Sequence, residues 1–223
     1  MLVSDAGQPP SASRLGRIAV RLGRNWSQVD NPEIARVGLM RLVREDLRRH
    51  DLGLRTPGFR AVATYRLGAW ARSRRSAVIR VPMLLLHGIL FRYVRNHYGI
   101  EIHSSARIGR RLLIGHQHGI VIHRFATFGD DCIIRQGVTL GEAGIGRDNF
   151  AAGIGPVIGA NVDIGVGAII IGNVRIGDRV NIGPNAVVMT DVPADTTVLA
   201  PMSRLMPRAG AVRSTPSVKE DAA

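Results

Sequence analysis

The chain has 223 residues and a formal net charge of +13, from 30 Lys+Arg against 17 Asp+Glu, and all but Lys219 of its basic side chains are arginine. One cysteine, Cys132, leaves no disulfide framework and no cysteine-based zinc site. Aromatics make up 4% and no nucleic-acid motif interleaves them with the arginines, so no nucleic-acid partner is expected, and the charge reads either as attraction to another polyanion, a membrane surface or a phosphorylated cofactor, or as a solvated surface.

Taken in order, residues 1–29 are rich in Ser, Pro, Gly and Arg and are expected to be a disordered basic segment, with at most a short basic amphipathic turn between Arg14 and Arg24. They hold no long apolar core of the secretory type, and a cytoplasmic protein is expected. Asp30-Asn31-Pro32-Glu33 carries the signature of a helix start: a capping side chain, proline in the first turn and an acid at the positive end of the dipole. The apolar stripe predicted for this helix is Ile34, Val37, Met40, Val43 and Leu47. A second helix is predicted from about Gly58 to Arg72 and a third from about Val78 to Tyr98. The apolar run Val81–Phe91 is shorter than the roughly 20 residues that span a bilayer. Residues 30–99 thus read as a small α-helical domain, with His87 as a core histidine.

Residues 100–206 read as a second domain, and from Ile100 to Val192 it keeps a period of six. Ile102, Ile108 and Ile114 are followed, after a slip of two, by Ile122, Phe128, Ile134 and Leu140; after a loop the beat resumes through Ile158, Ile164, Ile170, Ile176, Ile182 and Val188. A fixed short period marks a solenoid. Three hexads make one triangular turn, the aliphatic residue pointing inward and Gly, Asn and Asp taking the corners. The fold expected is mainly β: a left-handed parallel β-helix preceded by the helical domain, which caps its open end. Cys132 falls on a repeat strand as a small packing residue.

The period breaks at Gly115–Gly119, where two residues are extruded, and at 141–157, where a Gly-rich segment leaves the wall as a loop. Loops on a rigid scaffold commonly carry function. His103, His116, His118 and His123 cluster around the first break, and Glu101 precedes His116 by 15 residues, within reach across adjoining coils. A carboxylate on one imidazole nitrogen leaves the other free as a base for a hydroxyl proton. Two other readings of the histidines are corner decoration and a zinc site shared between subunits. Residues 207–223 are expected to be a flexible tail.

Several motifs carry a resemblance: Gly58-Phe59-Arg60-Ala61 with Tyr65-Arg66-Leu67; Glu101-Ile102-His103; His116-Gln117-His118-Gly119; Gln136-Gly137-Val138-Thr139-Leu140-Gly141; Ile171-Gly172-Asn173-Val174; and Asp191-Val192-Pro193. Over roughly residues 40–205 the chain resembles serine O-acetyltransferases of the hexapeptide-repeat class. The resemblance implies acetyl-CoA as co-substrate, L-serine as acceptor in cysteine biosynthesis, and a homotrimer with sites between subunits. It places His116 as catalytic base and Glu101 as the acid that orients it. It also implies Gly141, Val166, Gly167, Asn181 and Pro184 at the cofactor, with no metal, while His118, Arg135 and Gln136 are the candidates at the substrate.

Three departures stand out. The orienting acid is Glu101 where the family has Asp; Gly115 and Gly155 replace an Asp and a His that hold the amino-acid substrate in the family. His118, His123, Arg135 and Asp46 or Asp51 are the candidate replacements. The terminal Ile with which such enzymes dock onto cysteine synthase reads Ala223, and no such complex is expected. Another hydroxyl acceptor, such as a sugar or homoserine, is the alternative, and a zinc-binding or non-catalytic solenoid is the alternative of another class.

Overall fold

The computed structural model describes residues 31–142, 154–204 and 206. The expectations for the 1–29 segment, for most of the 141–157 loop and for the 207–223 tail lie outside the described residues.

Helix α1 (Pro32–Val37) starts on Asn31, whose side chain accepts from the Glu33 N–H at 2.9 Å. The long first helix predicted from sequence is two helices. Gly38 takes φ +86°, a left-handed value open to glycine, and α2 (Leu39–Arg49) restarts from it. The restart shifts the phase of the stripe: Ile34, Leu42 and Asp46 are buried, whereas Met40, predicted inward, is 75% exposed. Helix α3 (Pro57–Arg72) and helix α4 (Ala77–Tyr98) follow, α4 ending on Gly99 at φ +60°. His87 is buried, its Nδ1 3.1 Å from Thr64 O.

The solenoid has three parallel sheets. The first is β1 (Ile100–Ile102), β4 (Ile120–Ile122), β7 (Thr139–Gly141), β10 (Ile169–Ile171) and β13 (Val187–Val188); the second is β2 (Arg107–Ile108), β5 (Thr127–Phe128), β8 (Val157–Ile158) and β11 (Arg175–Ile176). The third is β3 (Leu113–Ile114), β6 (Ile133–Ile134), β9 (Asp163–Ile164), β12 (Asn181–Ile182) and β14 (Thr197–Val198). Ile164 pairs with Ile182, eighteen residues on, as three hexads require. Ile114 pairs with Ile134, twenty on, and Leu140 with Ile170, thirty on, so the two breaks insert two and twelve residues into an unchanged wall. The inward aliphatics Ile108, Ile122, Ile134, Leu140, Ile164 and Ile170 are all buried. The chain is a left-handed parallel β-helix with a helical cap.

One corner differs from expectation. The left-handed positions between the second and third sheets are Arg111, Asp131, Asn161, Arg179 and Asp195, so two of five are arginines. Each arginine is held by a carboxylate one coil on. Arg111 Nη2 lies 2.5 Å from Asp131 Oδ2, and Arg179 Nε lies 2.6 Å from Asp195 Oδ1. The half-buried Arg111 pair offsets part of the conformational cost of positive φ in a non-glycine residue, whereas the exposed Arg179 pair contributes little. Cys132 is buried on the third side and donates to Gly159 O at 3.2 Å. Burial pushes its thiol up to about 11. A thiol reagent at pH 7.5 should therefore leave the folded protein unlabelled and modify Cys132 only after denaturation.

The helical cap is wedged into the first coil by polar side chains. Arg66 is fully buried; it pairs with the buried Asp46 (Nε–Oδ2 2.9 Å) and donates to Ile108 O at 2.8 Å and Gly109 O at 2.5 Å. Tyr65 Oη donates to Ala106 O at 2.7 Å and accepts from Asn31 Nδ2 at 2.7 Å. His50 Nε2 accepts from Ile114 N at 3.2 Å, while its Nδ1 lies 2.7 Å from Asp46 O. Gly58 is required here, since any Cβ would collide with Ile114 O as α3 crosses β3.

Candidate active site

The first break sits at the corner between the third and first sheets, and its hydrogen bonds show which residues are extruded. Gly115 N–H donates to Ile134 O, which aligns Gly115 with Arg135. Gly137 N–H donates to His118 O, which aligns His118 with Gln136. Between the two rungs stand His116 and Gln117 with no counterpart on the next coil. His116 is therefore exposed on a two-residue bulge clamped by ladder bonds on both sides.

The same rung pattern runs down the whole edge. Gly167 N–H donates to Gln136 O and Asn185 N–H to Val166 O, so His118, Gln136, Val166 and Pro184 occupy equivalent corner positions on successive coils. Beside them Gly119, Gly137 and Gly167 take φ of +71°, +75° and +68°, with Asn185 at +57° below. A groove of about 380 Å³ on this edge is lined by Arg135, Asp163, Val166, Asn181 and Pro184, among others. Gln136 Oε1 is buried there with no hydrogen-bond partner, so a donor from a ligand or a neighbouring protomer would satisfy it.

The structure thus brings His116, His118, Arg135, Gln136, Val166, Asn181 and Pro184 onto one edge. Gly167 belongs to the corner turn, packed between Gly137 and Asn185, rather than to the groove lining. Gly141 is elsewhere. It ends β7 beside Ile171, at the opposite end of the first sheet's strands. Glu101 projects from the middle of β1, between the buried Ile100 and Ile102 and beside Val121. Among the described residues, neither the Glu101 nor the His116 side chain makes a hydrogen bond or ion pair.

Of the candidate replacements for the acceptor-holding residues, Asp46 is committed to Arg66 in the core and does not reach the edge. Asp51 stands in the turn after α2 at φ +52°. His123 lies beside Gly141 at the far corner, 3.9 Å from Glu142. Gly155 has no room for the family's histidine, since a Cβ there would stand 2.9 Å from the carbonyl carbon and Cβ of Phe125. Asp163 was not singled out from sequence, yet it pairs with Arg135 across the groove mouth, Nη2 to Oδ2 at 3.1 Å. The signal was available, since Arg135 and Asp163 flank inward residues that the six-beat stacks.

The far corner holds a second basic cluster. Arg124 Nη2 stands 3.1 Å from His103 Nε2, and the Ser105 N–H donates to His103 Nδ1 at 3.2 Å. Burial, then the nearby Arg124 and Arg72 cations, push the His103 imidazole down to about 4. Burial also lowers His50 and His87. With folded values below the ordinary 6.5, the unfolded chain binds more protons between about pH 4 and 6.5. Stability should be fully present above pH 6.5 and fall as pH drops through that window. Melting temperature measured from pH 4 to 7.5 should show this slope, and His103→Gln should flatten it.

Among the described residues no three His, Cys, Asp or Glu side chains converge as a metal-ligand set.

No family model matches the chain. It is 42% identical over 154 residues to a serine acetyltransferase of Synechococcus elongatus, covering 69% of this chain and 59% of that protein. It is 35% identical over 143 residues to the serine acetyltransferase of Helicobacter pylori, covering 64% of this chain and 77% of the relative. The chain belongs to the serine acetyltransferase family. It spans 59% of the cyanobacterial member and 46% of a staphylococcal one. Among solved structures, it superposes on the Neisseria gonorrhoeae serine acetyltransferase in complex with serine with a TM-score of 0.61 at 26% identity, covering 84% of this chain and 83% of that one. The soybean serine acetyltransferase apoenzyme matches with a TM-score of 0.60 at 31% identity, over 75% and 69% of the two chains.

Proposed function

We propose that the chain is an acetyl-CoA-dependent O-acetyltransferase whose acceptor is L-serine, supplying an activated serine ester for cysteine synthesis in the cytoplasm. The observation that carries the proposal is the edge itself: the bulge that extrudes His116 lies above Arg135, Gln136, Val166 and Pro184. An exposed imidazole on a rigid bulge can take the proton from a hydroxyl as its oxygen attacks the thioester carbonyl. The tetrahedral oxyanion collapses, expelling CoA as the thiolate, and the imidazolium returns the proton to sulfur. Glu101 is assigned to orient His116, and the smaller loss expected of Glu101→Gln tests that role. CoA is assigned to the groove lined by Val166, Asn181 and Pro184, next to the corner residue Gly167.

The site is assigned to the boundary between protomers of a homotrimer. Gly141 and the Arg135–Pro184 edge lie at opposite ends of the first sheet, and a neighbouring copy is assigned to supply the second wall of the CoA groove. Light scattering should return three times the 24.1 kDa chain.

Gly115 and the sterically closed Gly155 favour a second reading, acetyl transfer to a different hydroxyl. Release of free CoA from acetyl-CoA, measured with L-serine, L-homoserine and sugars, separates the two. Serine-dependent release well above the others supports the first reading, and release only with another acceptor replaces it. About one zinc per subunit in the purified protein would instead support the zinc-solenoid reading.

A further inference from the structure

Helix α4 carries a surface that the acetyl-transfer site does not use. Its inner side packs on α3 through His87 and Val94, both buried. Its outer side is apolar for three turns: Val78, Val81, Leu85 and Ile89 are 84%, 51%, 66% and 62% exposed. They recur at helical spacing, so they form one stripe. The helix is 22 residues long and apolar enough to cross a membrane by length and composition, longer than the Val81–Phe91 run alone suggests. Its packing against α3 holds it along the protein surface. An exposed stripe of this extent marks an interaction site.

The charges around the stripe say what covers it. From Arg72 to Tyr98 there is no acidic residue, while Arg74 and Arg75 precede the stripe and Arg92 and Arg95 follow it. A second copy laid on the same face would set arginines against arginines with no carboxylate from this segment between them. A layer of anionic headgroups supplies the missing counter-charge at both ends, and acyl chains cover the stripe. We propose that α4 lies in the plane of an anionic phospholipid bilayer, with Val78, Val81, Leu85 and Ile89 buried in the acyl boundary and Arg75 and Arg92 at the headgroups.

The test is flotation of the full chain with vesicles of phosphatidylcholine containing about 30% phosphatidylglycerol, against pure phosphatidylcholine. The protein should float with the anionic vesicles at least tenfold more than with neutral ones, and less as salt is raised. Leu85→Glu/Ile89→Glu should cut flotation at least tenfold while leaving the melting temperature unchanged, because both side chains are solvent-exposed. Arg75→Ser/Arg92→Ser, which spares the stripe, should lose the preference for anionic vesicles. Absence of flotation with anionic vesicles overturns the proposal, as does equal flotation of the Leu85→Glu/Ile89→Glu protein. It is overturned too if the wild type binds no vesicles and its mass in solution halves in that variant, which would make the stripe a contact between copies.

Discussion

His116→Ala should lower the rate of CoA release by about a thousandfold, the contribution expected of a positioned general base. The bulge is held by backbone bonds on either side, Gly115 to Ile134 and Gly137 to His118, and none involves the imidazole. Its loss should therefore leave the fold intact and the KM for acetyl-CoA within a few-fold, so the defect falls on kcat. Glu101→Gln should give a smaller loss, because it keeps the shape and removes only the charge that orients the base. Activity of His116→Ala within a few-fold of wild type would remove the histidine from the mechanism.

The second large effect concerns stability. Arg66→Ala should destabilise the protein by about 3–5 kcal/mol, the cost of leaving one partner of a buried ion pair uncompensated. Asp46 would remain fully buried, and Ile108 O and Gly109 O would lose their donors, so the seam between the helical cap and the first coil should open first. For a chain of this size the melting temperature should fall by roughly 6–20 °C. Asp46→Leu/Arg66→Met should recover part of the loss, since it removes the stranded charge although it does not restore the two carbonyl contacts. A single Arg66→Ala with an unchanged melt would mean that the pair does not hold the cap.

How far the sequence reaches follows from what kind of signal each residue leaves. The six-beat is a packing signal repeated thirteen times, and a register shift would turn every aliphatic outward, so the wall, both insertions and the stacking of Ile164 on Ile182 could be read directly. Caps and glycines are local signals, and the starts of α1 and α3 were legible to within a residue. Phase was not. One left-handed residue, Gly38, rotates α2, exposes Met40 and buries Leu42 and Asp46. A buried carboxylate leaves no mark in periodicity, which is why Asp46 read as a surface acid available to a substrate. The arginines at left-handed corners were equally hidden, since the carboxylates they pair with, Asp131 and Asp195, lie one coil away. At the site, the motifs of the resemblance named His116, Val166 and Pro184, and the ladder bonds are what place them with Arg135 along one edge. Gly141 falls at the other end of the same sheet, a separation that only the strand pairing reveals.

The central claim is that acetyl-CoA is used on the edge carrying His116. A crystal structure of the chain with bound CoA tests it most directly. The prediction is pantetheine running along the groove of Val166, Asn181 and Pro184, its sulfur reaching the His116 bulge. CoA seated instead in the arginine-lined hollow of Arg48, Arg49, Arg110 and Arg111, away from His116, would contradict it.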